Sequence, residues 1–164
     1  MKLRQTDLVA QGSRGFTLIE LVVTISIIAI LAAVALPRYI TLQTQARTAK
    51  AQALYGGVRS AAALAHAQAI ATNTTSSGAA TIQMEAQNVT LINGYPTADL
   101  AGIQTALQIT NGSDAVNIIP GGAGAAATMT IDINGGTSPS CRVSYTSPAG
   151  PNASPLITVD DSAC

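Results

Sequence analysis

A chain of 164 residues has room for one small domain plus a long helix, and eight basic against eight acidic side chains leave it formally neutral. That balance supplies no basic patch of the kind that holds nucleic acid by charge alone. One histidine and two cysteines are too few ligands for a metal centre, no phosphate-cradling glycine loop is present, and no Ser/His/Asp set can be assembled, so no catalytic residue, metal or cofactor is expected.

The first segment is a polar leader, Met1 to Gly15, with Lys2, Arg4 and Arg14 against Asp7. Positive charge just ahead of an apolar span holds that end in the cytoplasm. The span itself is the 21 residues from Phe16 to Leu36, charged only at Glu20. As a helix it measures about 30 Å, the thickness of a bilayer core. A carboxylate at that depth costs roughly 2.5–3.5 kcal/mol, so a simple anchor would not keep it. An ordinary secretory signal is cut after its apolar stretch. Here the small residue, Gly15, stands before it. A cut after Gly15 leaves Phe16 with a free amine, positive below a pKa of about 8. Between parallel helices offset along one axis, that amine meets the Glu20 carboxylate of the next copy. Breaking such a buried pair costs about 3–5 kcal/mol. Glu20 therefore reads as a registration device for packing copies of this helix.

Gly15-Phe-Thr-Leu-Ile-Glu20, followed by the apolar run and Pro37, resembles the type IV pilin family, which includes the pseudopilins of type II secretion. The resemblance implies the type IV pilin fold, an α+β architecture in which a long N-terminal helix packs its outer half on a small antiparallel sheet. It implies a prepilin peptidase that cuts between Gly15 and Phe16 and methylates Phe16. Phe16 and Glu20 become the assembly residues. Ala29 stands where many members of the family have a helix-loosening glycine.

Pro37 removes one backbone donor and is expected to kink the helix without ending it. Beyond it the helix runs to about Ala71, with Leu36, Ile40, Leu54, Val58 and Leu64 as a sparse apolar face among alanines, the strongest helix formers. Gly56-Gly57 is a weak point, and His66 reads as a half-buried helix residue touching the head. The polar stretch Thr72 to Gly78 marks the junction. The expected organisation is thus a leader over 1–15, a membrane and filament-core half over 16–37, an outer amphipathic half over 38–71, and a head over 72–164.

In the head, Thr81–Gln87 reads as a turn of helix or an extended segment, Asn93-Gly-Tyr-Pro96 as a turn, and Asp99–Leu107 as a short helix capped by Asp99 or Thr97. Strands are predicted over 115–119, 128–133, 142–146 and 156–159, separated by Gly/Pro/Asn turns. They give an antiparallel sheet of about four strands, one face of which needs the helix to bury it. Cys141 and Cys164, in an exported chain, read as one disulfide, worth roughly 3–3.5 kcal/mol in the chain-entropy picture. Metal binding is the competing use of these cysteines. A bridge there also resembles the closed C-terminal region of type IV pilins. Four Asn-x-Ser/Thr patterns, at Asn73, Asn88, Asn111 and Asn152, are expected by chance in so Asn-, Ser- and Thr-rich a chain. The Leu91–Pro96 turn, Cys141–Tyr145 and Ala35–Gln43 resemble the mannose-sensitive haemagglutinin branch of pilins.

The function implied is the major structural subunit of an extracellular type IV pilus used for adhesion or surface motility. A type II secretion pseudopilin or a minor pilin is the alternative, and a tethered enzyme or binding module a third. The implied partners are further copies of the chain, the prepilin peptidase, the assembly platform with minor pilins, and the inner membrane of a Gram-negative-type bacterium before assembly. A surface receptor or DNA is left open as a partner.

Overall fold

The computed structural model describes residues 15–75, 78–112 and 114–164. Of the leader over 1–15, residues 1–14 with Lys2, Arg4 and Arg14 lie outside the described residues, as do Ser76 and Ser77 of the junction. Helix α1 spans Leu18–Ala71 and passes through Pro37. It starts two residues later than the apolar run, because Thr17 stays outside it as the residue that caps it. The chain divides into two compact units, one ending at Ile40 and the other Thr41–Cys164, and α1 contributes to both.

In the second unit the strands are β1 (Ala79–Met84), β2 (Gln87–Ile92), β3 (Tyr95–Pro96), β4 (Val116–Ile119), β5 (Thr128–Ile133), β6 (Arg142–Thr146) and β7 (Leu156–Asp160). The four-stranded sheet has the order β4-β5-β6-β7, antiparallel throughout, and matches the sheet read from the sequence. Its inner faces alternate: Val116, Ile118, Met129, Ile131, Val143 and Tyr145 are all buried. A second, three-stranded sheet of order β1-β2-β3 was not anticipated. Its first hairpin turns at Glu85 and Ala86, both at positive φ (48° and 64°). That is the conformation a two-residue hairpin turn demands, normally supplied by Asn-Gly or Asp-Gly. Without either dipeptide the turn carries no sequence signal, and Thr81–Gln87 is extended up to Met84 and then turns.

The predicted short helix is an irregular one, a π-helical turn over Leu100–Gln104 followed by an α-helical turn over Thr105–Leu107, with Gly102 off helical geometry (φ −97°, ψ −108°). Asp99 caps it as expected, its carboxylate accepting from the Gly102 amide at 2.8 Å and from the Thr97 hydroxyl at 2.7 Å. Thr97 is buried, and its hydroxyl also lies 2.6 Å from that of Thr90, so the polar network is satisfied locally.

The face of α1 that meets the head keeps Val58, and in part Leu54, of the predicted one and is otherwise made of alanine. Its buried residues are Ala51, Val58, Ala61, Ala62, Ala65 and Ala69. Leu54 is half-buried, and Leu64 points outward at 61% exposure. Alanine lets the helix axis approach the strands closely, and the bulky apolar atoms come from the sheets instead. Three clusters line up along this stripe. Ala65 and Ala69 pack on Ile82, Val89 and Leu91 of the small sheet. Val58, Ala61 and Ala62 pack on Ile103 and the four-stranded sheet. Ala51 packs on Ile133 and the Cys141–Cys164 bridge. Tyr145 joins the two sheets, its hydroxyl donating to the Pro96 carbonyl at 2.6 Å.

Candidate functional site

The residues of the N-terminal motif sit at and just before the start of α1. Gly15 is exposed, and a Cβ there would meet no heavy atom within 4 Å beyond its chain neighbours, so the bond to Phe16 is open to approach. Phe16 is 79% exposed. From there to Ile40 the large apolar side chains are exposed, and α1 is long and apolar enough by length and composition to cross a bilayer.

Glu20 has a partner within its own chain. The Thr17 amide donates to its carboxylate at 3.1 Å and the Thr17 hydroxyl at 2.7 Å, while the Glu20 amide donates back to the Thr17 hydroxyl oxygen at 3.3 Å. This reciprocal arrangement is a capping box, with Thr17 as the cap and Glu20 three residues on. It satisfies amides that the first helical turn leaves without partners, and it places the carboxylate at the positive end of the helix dipole. The sequence reading assigned Glu20 a partner on another copy and overlooked Thr17. The signal was there: Thr-x-x-Glu directly before an apolar run. One turn further, the Thr24 hydroxyl donates back to the Glu20 carbonyl at 2.8 Å, and Ser26 does the same to Val22 at 2.7 Å, so the polar side chains of the span hide their donors in the helix backbone.

At the other end of the chain, Cys141 and Cys164 form the expected disulfide. The Arg47 guanidinium donates to the Cys164 carbonyl at 2.8 Å, tying the closed segment to α1. The bidentate pair of Arg142 with Asp132 joins β6 to β5 beside it, at 2.8 and 3.1 Å. His66 is half-buried, as its helix position suggests. Its Nδ1 lies 2.8 Å from the Gly94 carbonyl, and its ring stacks on Tyr95. Among the described residues no group of three or more His, Cys, Asp or Glu side chains is placed to hold a metal.

A long helix with an exposed apolar first half and a capped acid at its start, followed by antiparallel sheets and a disulfide, is consistent with the type IV pilin α+β fold. The comparisons with known proteins agree. Residues 11–36 match the prokaryotic N-terminal methylation motif. Over 57 residues the chain is 51% identical to the type IV narrow pilus major component PilA5 of Thermus thermophilus, covering 35% of this chain and 49% of that protein. Over 94 residues it is 38% identical to a fimbrial protein of Neisseria meningitidis serogroup A, covering 54% of this chain and 55% of that one. The serogroup B fimbrial protein is 37% identical over the same length. The chain thus spans about half the length of the curated relatives it matches. No solved structure matches it.

Proposed function

We propose that this chain is the major structural subunit of a type IV pilus, and not an enzyme. It enters the inner membrane through the apolar half of α1. A prepilin peptidase removes residues 1–15 by cutting between Gly15 and Phe16 and methylates the new amine. The 16–37 segment then leaves the lipid for the core of a filament of many copies, the 38–71 half of the helix supports the head over 72–164, and Pro37 kinks the helix where the two halves meet. The head faces outward, where the disulfide fits an oxidising compartment. Assembly platform and minor pilins serve the assembly, the host is of the Gram-negative type, and adhesion or surface motility follows from the polymer. The short stretches around Leu91–Pro96 and Cys141–Tyr145 support a reading within the mannose-sensitive haemagglutinin branch.

The observation that carries the reading is Glu20: an acid at the head of an exposed, otherwise uncharged apolar span, inside the stretch that matches the methylation motif. The capping box supports it, because it holds the carboxylate in one place in the monomer while leaving oxygen lone pairs open for the Phe16 amine of a neighbouring copy. Mechanical shearing of cells should release long filaments in which this chain, cut and methylated at Phe16, is the dominant protein. Glu20→Ala should be processed and inserted normally yet lower sheared filament by at least tenfold. Normal filament yield from that variant would remove the pairing argument, and recovery of the wild-type chain only from membranes would assign it to a secretion pseudopilus or a minor position.

A further inference from the structure

The buried stripe of α1 leaves two flanks in the Thr41–Cys164 unit, and at the level of the β1–β2 hairpin and of His66 a single charge of opposite sign stands on each, Glu85 on one and Arg59 on the other. On one flank Tyr55, Arg59 and His66 combine with Tyr95, Pro155 and Leu156 to line a groove of about 510 Å³. Its wall is firm: His66 and Tyr95 stack with ring centroids 4.0 Å apart and 4° between their planes. Leu156 is 64% exposed at its mouth. Arg59 is exposed, supplies the groove's permanent charge, and makes no hydrogen bond or ion pair among the described residues.

On the other flank Leu64 and Gln68 of α1 stand beside Gln83, Met84 and Glu85 of the β1–β2 hairpin. With 3.6 residues per turn, Leu64 lies roughly 140° and Gln68 roughly 180° around the helix from Arg59. Glu85 is exposed at the hairpin tip, accepts from the Gln108 amide, and has no cationic partner among the described residues. Leu64 beside it is exposed as well. Each flank thus joins one uncompensated charge to one exposed leucine, and the two charges are opposite in sign.

We propose that the Arg59 groove receives the Glu85 hairpin tip of a second copy of this chain. The proposal rests on the filament reading above and deepens it by naming a lateral contact between heads. Two different surfaces on opposite flanks form a heterologous contact, which repeats from copy to copy and generates an open polymer where the rotation does not close. The two surfaces are preshaped, one by the stacked rings and the other by the positive-φ turn at Glu85 and Ala86. Charge complementarity at such a rim sets register and partner choice.

The experiment uses the full-length chain in piliated cells, with sheared filament measured against the membrane pool of processed subunit. Arg59→Glu and Glu85→Arg should each reduce filament several-fold while the disulfide-bonded pool stays at its normal level. The double exchange should restore most of the loss. Singles with wild-type yield, or a double exchange no better than the singles, would overturn the contact. Ser154→Cys combined with Ala86→Cys, both exposed positions, gives an independent reading: oxidised filaments should run as a ladder of crosslinked dimers, trimers and longer species, and a monomer band alone would overturn it. Loss of filament in Glu20→Ala with no response to the Arg59 and Glu85 changes sinks this contact and leaves the subunit reading standing. Absence of filament from the wild type sinks both.

Discussion

Glu20 and Thr17 show how a carboxylate at the start of an apolar helix finds its partners within one chain. In a lipid-facing helix, a carboxylate and the unpaired first-turn amides are both expensive, and the capping box lets each offset the other. The same grip fixes where the carboxylate stands at the start of α1. Tyr145 is a different case, a buried hydroxyl that donates to the Pro96 carbonyl. Burial, with Tyr95 adding to it, raises the pKa of the phenol well above the ordinary tyrosine value. The folded state therefore keeps that proton where the unfolded chain begins to release it, near pH ~10. Its contribution to stability is complete below that pH and is lost as pH rises beyond it. Tyr145→Phe should lower stability by about 1–3 kcal/mol at neutral pH, since it leaves the Pro96 oxygen without a donor, and should flatten the alkaline fall. Denaturant unfolding at pH 7 and above pH 10 measures both effects.

At the scale of elements, the alanine stripe of α1 is a spacing device. Ala65 and Ala69 are fully buried against β1 and β2, so a larger side chain has nowhere to go. Ala65→Leu should destabilise by about 1–3 kcal/mol through overpacking, although leucine is itself a good helix former and the change only adds apolar atoms. Circular dichroism melting of the disulfide-intact chain is the measurement. The β1–β2 hairpin stores strain of the opposite kind. Ala86 at φ 64° sits where an L-residue costs roughly 1–2 kcal/mol and glycine does not. Ala86→Gly should raise stability by about 0.5–1 kcal/mol, the relief being partly offset by the greater freedom of glycine when unfolded. An unchanged or lower midpoint would mean that the turn is held by something other than backbone preference.

For the molecule as a whole, the head is three small clusters strung along one helix, and the disulfide closes the last of them. Cys141 and Cys164, 23 residues apart in sequence, bury beside Ala51 and Ile133 and draw the end of β7 toward α1. Arg47 adds its hydrogen bond to the Cys164 carbonyl. Reduction should lower the stability of the head by about 3 kcal/mol. Thermal melts of the full chain with and without reductant test this, and equal midpoints would show that the cluster holds without the bridge.

The parts of this protein legible from sequence alone are those that local chemistry dictates. A single acid in an oily run behind a glycine, the helix carried on through Pro37, four strands marked by alternation and by Gly/Pro turns, and two cysteines that pair with each other all follow from spacing and residue type. The strands over 128–133 and 142–146 coincide residue for residue with β5 and β6. Tertiary structure decided the rest. The three-stranded sheet was missed at its first hairpin, whose turn uses Glu85 and Ala86 in place of glycine or asparagine, while its second turn, Asn93-Gly94, reads as a turn without the short strand that follows it. The buried face of α1 was misread because large apolar residues mark a helix face only when nothing limits the approach of its partner; here close packing on two sheets selects alanine and turns Leu64 outward. Arg59 and Glu85 come to stand on different flanks of α1 only once the β1–β2 hairpin is laid beside Leu64 and Gln68, which the turn of the helix carries away from Arg59.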